Sequence, residues 1–429
     1  MKILLLNAFD TGGGAAQAAV RLVEALNQYH VNATLGVIDK KSLYPYVIEI
    51  PKKKQNKALY YIRCFFNLFF QSLSIIFDSP LIFLHLKFNT TNNILHSKNN
   101  SSIIDINWIN KSDFDVVNLH WICGNMISIK DISRITKPIV WTLHDSWPCC
   151  GAEHHQNLLE NDKRYQTGYF RNNKPKTTIG PDICRKVWNK KRKYLMNKNI
   201  TFIAPSKWEQ DTLKSSYLFK DKECFCIPNI IDHEIFYQKN SNQIRAMYNI
   251  PLNKKILGFG AACDINDPKA VKGSYYSFEM LKKLKNPESY YLVIFGPTNS
   301  VFAQNINIPF LSTGYIENTT ILSTIYNACD IFICPSIVEN LPYTCLESIC
   351  CGVPVVAFDV GGNSDIIEHK INGYLAKPYD TQELANGVNY CLDNRKELSE
   401  NCLLKAKKDF DTEKTIVKYI QTYESVRRK

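Results

Sequence analysis

Apolar runs of strand length alternate with longer amphipathic stretches along almost the whole chain. Ile3 to Asn7 leads into Ala15 to Tyr29; Val116 to Leu119, Ile139 to Leu143 and Thr201 to Ala204 follow, the last continuing into Trp208 to Ser215. This alternation specifies a parallel sheet covered by helices, because parallel strands need a long crossover and a helix supplies it. The pattern pauses around Ile227 to Asn242 and restarts with Ile256 to Phe259, Tyr291 to Phe295, Ile331 to Cys334 and Val353 to Phe358. A pause and restart within 429 residues, about twice the usual domain size, predict an α/β chain of two doubly wound Rossmann-like domains facing a cleft. The expected division is 1–238, with insertions at 52–89 and 150–185, then 239–411, then a terminal helix at 412–429 packing back on the first domain. The polar stretch Gln238 to Gln243 is the candidate linker. Open parallel sheets bind ligands at the carboxyl ends of their strands, so function is expected on post-strand loops.

The run Ile3 to Leu6 is followed at once by Asn7 and Asp10, too short and too soon polar for a signal peptide or a membrane span. Lys and Arg total 52 against 40 Asp and Glu, a net +12 that favours anionic partners without choosing among them. No nucleic-acid motif accompanies the charge, so nucleic acid is not an expected partner. Fifteen cysteines, an odd number with no CxxC, fit reduced thiols better than a disulfide framework or zinc ribbon, and a zinc site in the loop holding Cys149, Cys150, His154, His155 and Cys184 is not expected. In the first insertion, Lys52, Lys53, Lys54, Lys57 and Arg63 precede an aromatic segment from Phe65 to Phe77, a pattern suited equally to an anionic membrane surface and to a hairpin packed on its own domain. The second insertion reads as a polar loop, and the basic helix after it, from Arg185 to Lys193, reads as a solvated face.

Two segments concentrate the chemistry. After the first strand, Gly12-Gly13-Gly14 opens a helix, where backbone N–H groups can approach a phosphate; the spacing is neither GxGxxG nor GxxxxGK, so hydride transfer and nucleoside-triphosphate hydrolysis lose their best markers. After Ile331 to Cys334, the segment Glu339-Asn340-Leu341-Pro342-Tyr343-Thr344-Cys345-Leu346-Glu347 sets one glutamate on a loop and another in the helix that Pro342 starts. Two carboxylates flanking a helix N-terminus suit the hydroxyls and diphosphate of a nucleotide sugar, although glutamates near helix starts also serve as caps. Asp113-Phe114-Asp115 matches a DxD metal motif but precedes its strand, at the end opposite the expected site.

In order along the chain, Thr11-Gly12-Gly13-Gly14, Thr142-Leu143-His144-Asp145, Ala204-Pro205-Ser206, Ile227-Pro228-Asn229, Lys272-Gly273, Glu339 to Glu347, Gly352-Val353-Pro354-Val355-Val356 and Asn372-Gly373-Tyr374-Leu375 resemble the family 4 glycosyltransferases, a retaining, metal-independent group with the two-domain GT-B fold. The resemblance implies that Gly13, Gly14, Lys272 and the backbone at Asn340 and Leu341 meet a donor diphosphate, that Glu347 holds the ribose, and that His144 and Glu339 act at the transferred sugar. Lys269 is a second candidate for the phosphate, because Gly260-Ala261-Ala262 stands where relatives often carry an Arg. His120, Trp121 and Asp145 are candidates for the acceptor side.

The resemblance implies a nucleotide-sugar donor, a glycan or lipid-linked acceptor of bacterial surface polysaccharide synthesis, no cofactor and no metal. The reduced thiols fit a cytoplasmic location, and the basic, aromatic first insertion makes an anionic membrane surface a candidate partner. The alternatives are a non-hydrolysing sugar-nucleotide 2-epimerase and a catalytically silent subunit that binds nucleotide or membrane.

Overall fold

The computed structural model describes residues 1–53, 95–156, 162–176, 181–262, 265–298 and 300–428, so the aromatic part of the first insertion lies outside the described residues. The chain forms two units: Met1–Ile203 with Asp211–Phe225 and Gln421–Lys429, and Ala204–Gln210 with Cys226–Ile420.

The first sheet contains β1 (Lys2–Leu6), β2 (Asn32–Val37), β3 (Val47–Glu49), β4 (Val116–Leu119), β5 (Ile139–Thr142), β6 (Thr201–Ala204) and β7 (Cys224–Cys226), in the order β3-β2-β1-β4-β5-β6-β7. Neighbours from β3 through β6 pair in parallel. Ile3, Leu4, Leu5 and Leu6 are all fully buried, as expected of a central parallel strand covered on both faces. Helix α1 (Gly14–Gln28) covers it with a stripe that includes Ala16, Ala19, Val20, Val23 and Leu26. Strand order reverses between β1 and β4, so the loops after those strands flank the switch point where such sheets bind ligands.

The second sheet contains β8 (Lys255–Ala262), β9 (Tyr290–Thr298), β10 (Phe310–Gly314), β11 (Ile331–Cys334), β12 (Val355–Phe358) and β13 (Gly373–Ala376), in the order β10-β9-β8-β11-β12-β13. Its neighbours all pair in parallel. Its switch point lies between β8 and β11, flanked by the loops carrying Lys272 and Glu339. No helix among the described residues is long and apolar enough to cross a membrane.

The polar stretch read as a linker opens a helix, Ser241–Met247, because the Asn240 side chain accepts from the N–H groups of Asn242 and Gln243 and buried Arg245 pairs with Asp330 at 2.8 Å. The second insertion is not all loop: short helical turns at Arg164–Thr167 and Arg171–Asn173 interrupt it.

The C-terminal helix, Thr412–Arg428, ends within the first unit. There Asn118, a polar residue in the middle of buried β4, donates to the Tyr423 hydroxyl at 2.7 Å and accepts from Thr142 at 3.1 Å. Replacing Tyr423 by Phe leaves a buried amide N–H short of an acceptor. We expect urea unfolding to show a loss of about 1–3 kcal/mol; an unchanged midpoint would mean that Asn118 finds another partner.

Candidate active site

In the second unit the loop after β11 leads to helix α2 (Tyr343–Cys350). Pro342 is its cap, with extended backbone, rather than a member of its first turn. The Glu339 carboxylate accepts from Lys272 Nζ at 2.6 Å; the Lys272 side chain is 65% exposed and that of Glu339 13%. The Glu339 charge raises the Lys272 pKa. Glu347, one turn into α2, is 2% exposed and accepts from the Tyr326 hydroxyl at 3.2 Å. Burial, reinforced by the Glu347 charge, pushes the Tyr326 phenol well above its ordinary value.

Backbone contacts hold this loop. Gly361 is left-handed at φ +58°, and a Cβ there would fall 1.8 Å from the Glu339 carbonyl oxygen; one at Gly362 would fall 1.7 Å from that of Asn340. Gly362 N–H also donates to the Glu339 carbonyl at 3.0 Å. These two glycines were missed in the sequence, although a Gly-Gly pair directly after a strand is a signal for close backbone approach. The Ala204-Pro205-Ser206 and Ile227-Pro228-Asn229 segments converge on the same loop. Ser206 donates to Asn340 Oδ1 at 2.8 Å, and Asn229 donates to the Leu341 carbonyl at 3.4 Å. Lys269 is exposed on a turn closed by its own N–H donating to Asp267 at 2.8 Å.

In the first unit, Gly12 and Gly13 hold φ of +75° and +83°, and Gly13 caps α1 with exposed space in front of it. His144, after β5, and His120, after β4, share a hydrogen bond of 2.8 Å between His120 Nδ1 and His144 Nε2, with the rings stacked at 5.0 Å. Burial lowers the His144 pKa to about 4 despite the opposing pull of Asp145, and burial with the His144 charge drives His120 well down. Both imidazoles are therefore neutral near pH 7, able to donate or accept a hydrogen bond but not to supply a proton as a cation. They line a small pocket with Trp121, Asp145 and Trp147.

Asp145 anchors that pocket. Its carboxylate accepts from Trp121 Nε1 at 2.9 Å and the Trp147 N–H at 3.0 Å, and pairs with His154 Nδ1 at 2.5 Å. Burial pushes this carboxyl up, but the His154 charge and hydrogen bond outweigh it and bring the pKa to about 2. The described parts of the basic segment lie on a helix, α3 (Ile183–Tyr194). Its reading as a solvated face fails at Lys191, which is fully buried on the stripe with Cys184, Val187 and Trp188. Lys191 Nζ donates to the carbonyls of Trp147, Cys150 and Gly151 and lies over the Trp147 ring, while desolvation lowers its pKa to about 8.

Two Rossmann-like units, each with post-strand loops at a switch point, define the GT-B glycosyltransferase fold. The chain resembles Anabaena HepE bound to UDP and glucose with a TM-score of 0.64, over 99% of this chain and 100% of that one, at 17% identity. Residues 240–409 match the family of glycosyl transferases group 1. It is 25% identical over 219 residues to N-acetyl-alpha-D-glucosaminyl L-malate synthase of Bacillus anthracis, covering 48% of this chain and 55% of that one. It is 27% identical over 164 residues to N,N'-diacetylbacillosaminyl-diphospho-undecaprenol alpha-1,3-N-acetylgalactosaminyltransferase of Campylobacter jejuni, covering 37% of this chain and 42% of that one. The matched segments thus span about half or less of these relatives.

Because the folded His144 pKa lies below its ordinary value of 6.5, native stability from this group is full above pH 6.5 and is lost as pH falls toward 4. We expect the thermal midpoint to fall across that window, and to fall less in His144→Asn. An equal fall in both proteins would contradict a buried neutral His144.

Proposed function

We propose that the chain transfers a sugar from a nucleotide-sugar donor to a glycan acceptor, with retention of anomeric configuration. The observation that carries this reading is the Lys272–Glu339 pair, held on two loops flanking the second switch point and directly before a helix N-terminus. Breaking an anomeric bond builds negative charge on the departing diphosphate and positive charge on the sugar. Lys272, with the backbone at Asn340 and Leu341, neutralises the first, and Glu339 is left to take the sugar hydroxyls. Glu347 receives the ribose, and Gly13 and Gly14 meet the diphosphate. A lysine doing this work leaves no need for a divalent ion at the phosphates. His144, neutral and tied to His120, positions the sugar by hydrogen bonding. Retention then rests on donor phosphate assisting the acceptor hydroxyl on the same face.

A lipid-linked intermediate of bacterial surface polysaccharide is the acceptor we favour. The Campylobacter relative's diphospho-undecaprenol substrate supports this, as does the run of lysines from Lys52 to Lys57 ahead of an aromatic segment. Location on the inner face of the plasma membrane belongs to the same proposal.

Lys272 is exposed, so its ion pair adds little to folding. Lys272→Ala should shift the unliganded melting temperature by less than about 3 °C, yet abolish the stabilisation that a UDP-, GDP-, ADP- or dTDP-sugar gives the wild type. Retained stabilisation in the variant would remove Lys272 from the donor site. No stabilisation of the wild type by any of the four would favour the silent-subunit alternative.

A further inference from the structure

Apart from the residues assigned to transfer, His96, Glu153 and Cys184 bring three ligand atoms within 4.8 Å of one another. They come from three separate segments of the first unit. His96 and Glu153 oppose each other in an antiparallel bridge, which bonds from Ser97 N–H to the Ala152 carbonyl at 2.8 Å and from His154 N–H to the Leu95 carbonyl at 3.0 Å extend. Cys184 sits in the first turn of α3, whose start is fixed by Asp182 accepting from the Arg185 N–H at 2.9 Å. Gly151 lets the loop lie directly on that turn: a Cβ there would come within 2.6 Å of the Cys184 carbonyl oxygen and 2.7 Å of its Cβ.

Glu153 points to a ligand. It is 4% exposed, and Oε1 accepts from the Tyr169 hydroxyl at 2.7 Å, but buried Oε2 has no hydrogen-bond partner among the described residues. The Arg164 guanidinium, 4.6 Å from the Tyr169 ring centroid, donates to Asp162 at 3.0 Å and to Asp182 at 3.3 Å; its charge and that of Lys191 reach Glu153, but neither donates a hydrogen bond to Oε2. A buried ionised carboxylate is costly unless positive charge compensates it.

We infer that His96, Glu153 and Cys184 hold a zinc ion. A mixed nitrogen, oxygen and sulfur set suits zinc, and a thiolate, a carboxylate and a neutral imidazole balance its charge. Donor atoms around tetrahedral zinc stand roughly 3.3–3.8 Å apart, so these three close by about 1 Å on binding. The Cys184 thiol proton leaves to solvent, and water completes the fourth position. The ion braces the wall beside the proposed sugar pocket, because His154, the residue after Glu153, holds Asp145. Its role is structural, and the inference stands independently of which sugar is transferred.

The full chain, loaded with zinc chloride and dialysed against metal-free buffer, tests this by mass-spectrometric metal analysis. About one zinc per chain is expected in the wild type and in Lys272→Ala, falling at least tenfold in Cys184→Ser and Glu153→Gln. Cobalt loading of the wild type should give a thiolate-to-metal absorption band, which decides the matter should either variant fail to fold. Wild-type protein with negligible zinc and no cobalt band, or zinc retained in both variants, overturns the assignment.

Discussion

The second unit's site depends on backbone pressed against backbone. Gly361 and Gly362 lie so close to the carbonyls of Glu339 and Asn340 that no side chain fits between them, and a Cβ at Gly273 would fall 1.9 Å from the Pro335 carbonyl oxygen. These contacts lock together the loops after β8, β11 and β12, three neighbouring strands of one sheet. Lys272 and Glu339 therefore project from backbone that is held in place, as the role proposed for them requires. Electrostatic stabilisation of a departing diphosphate depends on such preorganisation.

The first unit reaches a comparable end with side chains. Asp145 stays ionised although buried, because an indole, a backbone amide and His154 converge on it. Lys191 gathers three carbonyls of the loop that follows. The wall beside His144 is thus held by a polar network centred on Asp145 and Lys191, the kind of buried polarity that rigidifies a site when its members are hydrogen-bonded. His144 itself is kept neutral by the same burial.

Much of the fold was legible because buried parallel strands leave long apolar runs, as Ile3 to Leu6 and Ile331 to Cys334 do. Placing Lys272 and Glu339 after strands was enough to bring them to one switch point. What escaped depended on contacts between distant segments. The approach of Gly361 and Gly362 to Glu339 and Asn340 has no local signature beyond a turn, and the pairing of His120 with His144 requires knowing that β4 and β5 are neighbours. Lys191 was hidden by its own composition: within a run of lysines and arginines, the spacing of Cys184, Val187, Trp188 and Lys191 marks the buried face more reliably than charge does. The His96, Glu153 and Cys184 cluster shows none of the short ligand spacings by which sequence announces a metal site.

The most direct test of the account is a transfer assay with the nucleotide sugar that stabilises the protein and a polyprenyl-diphosphate-linked glycan, following product anomeric configuration by NMR. The account predicts acceptor-dependent release of nucleoside diphosphate, a product with the donor's configuration, and a rate lower by about 100-fold or more in Glu339→Ala. Conversion of the donor without acceptor, an inverted product, or an unchanged rate in Glu339→Ala would contradict it.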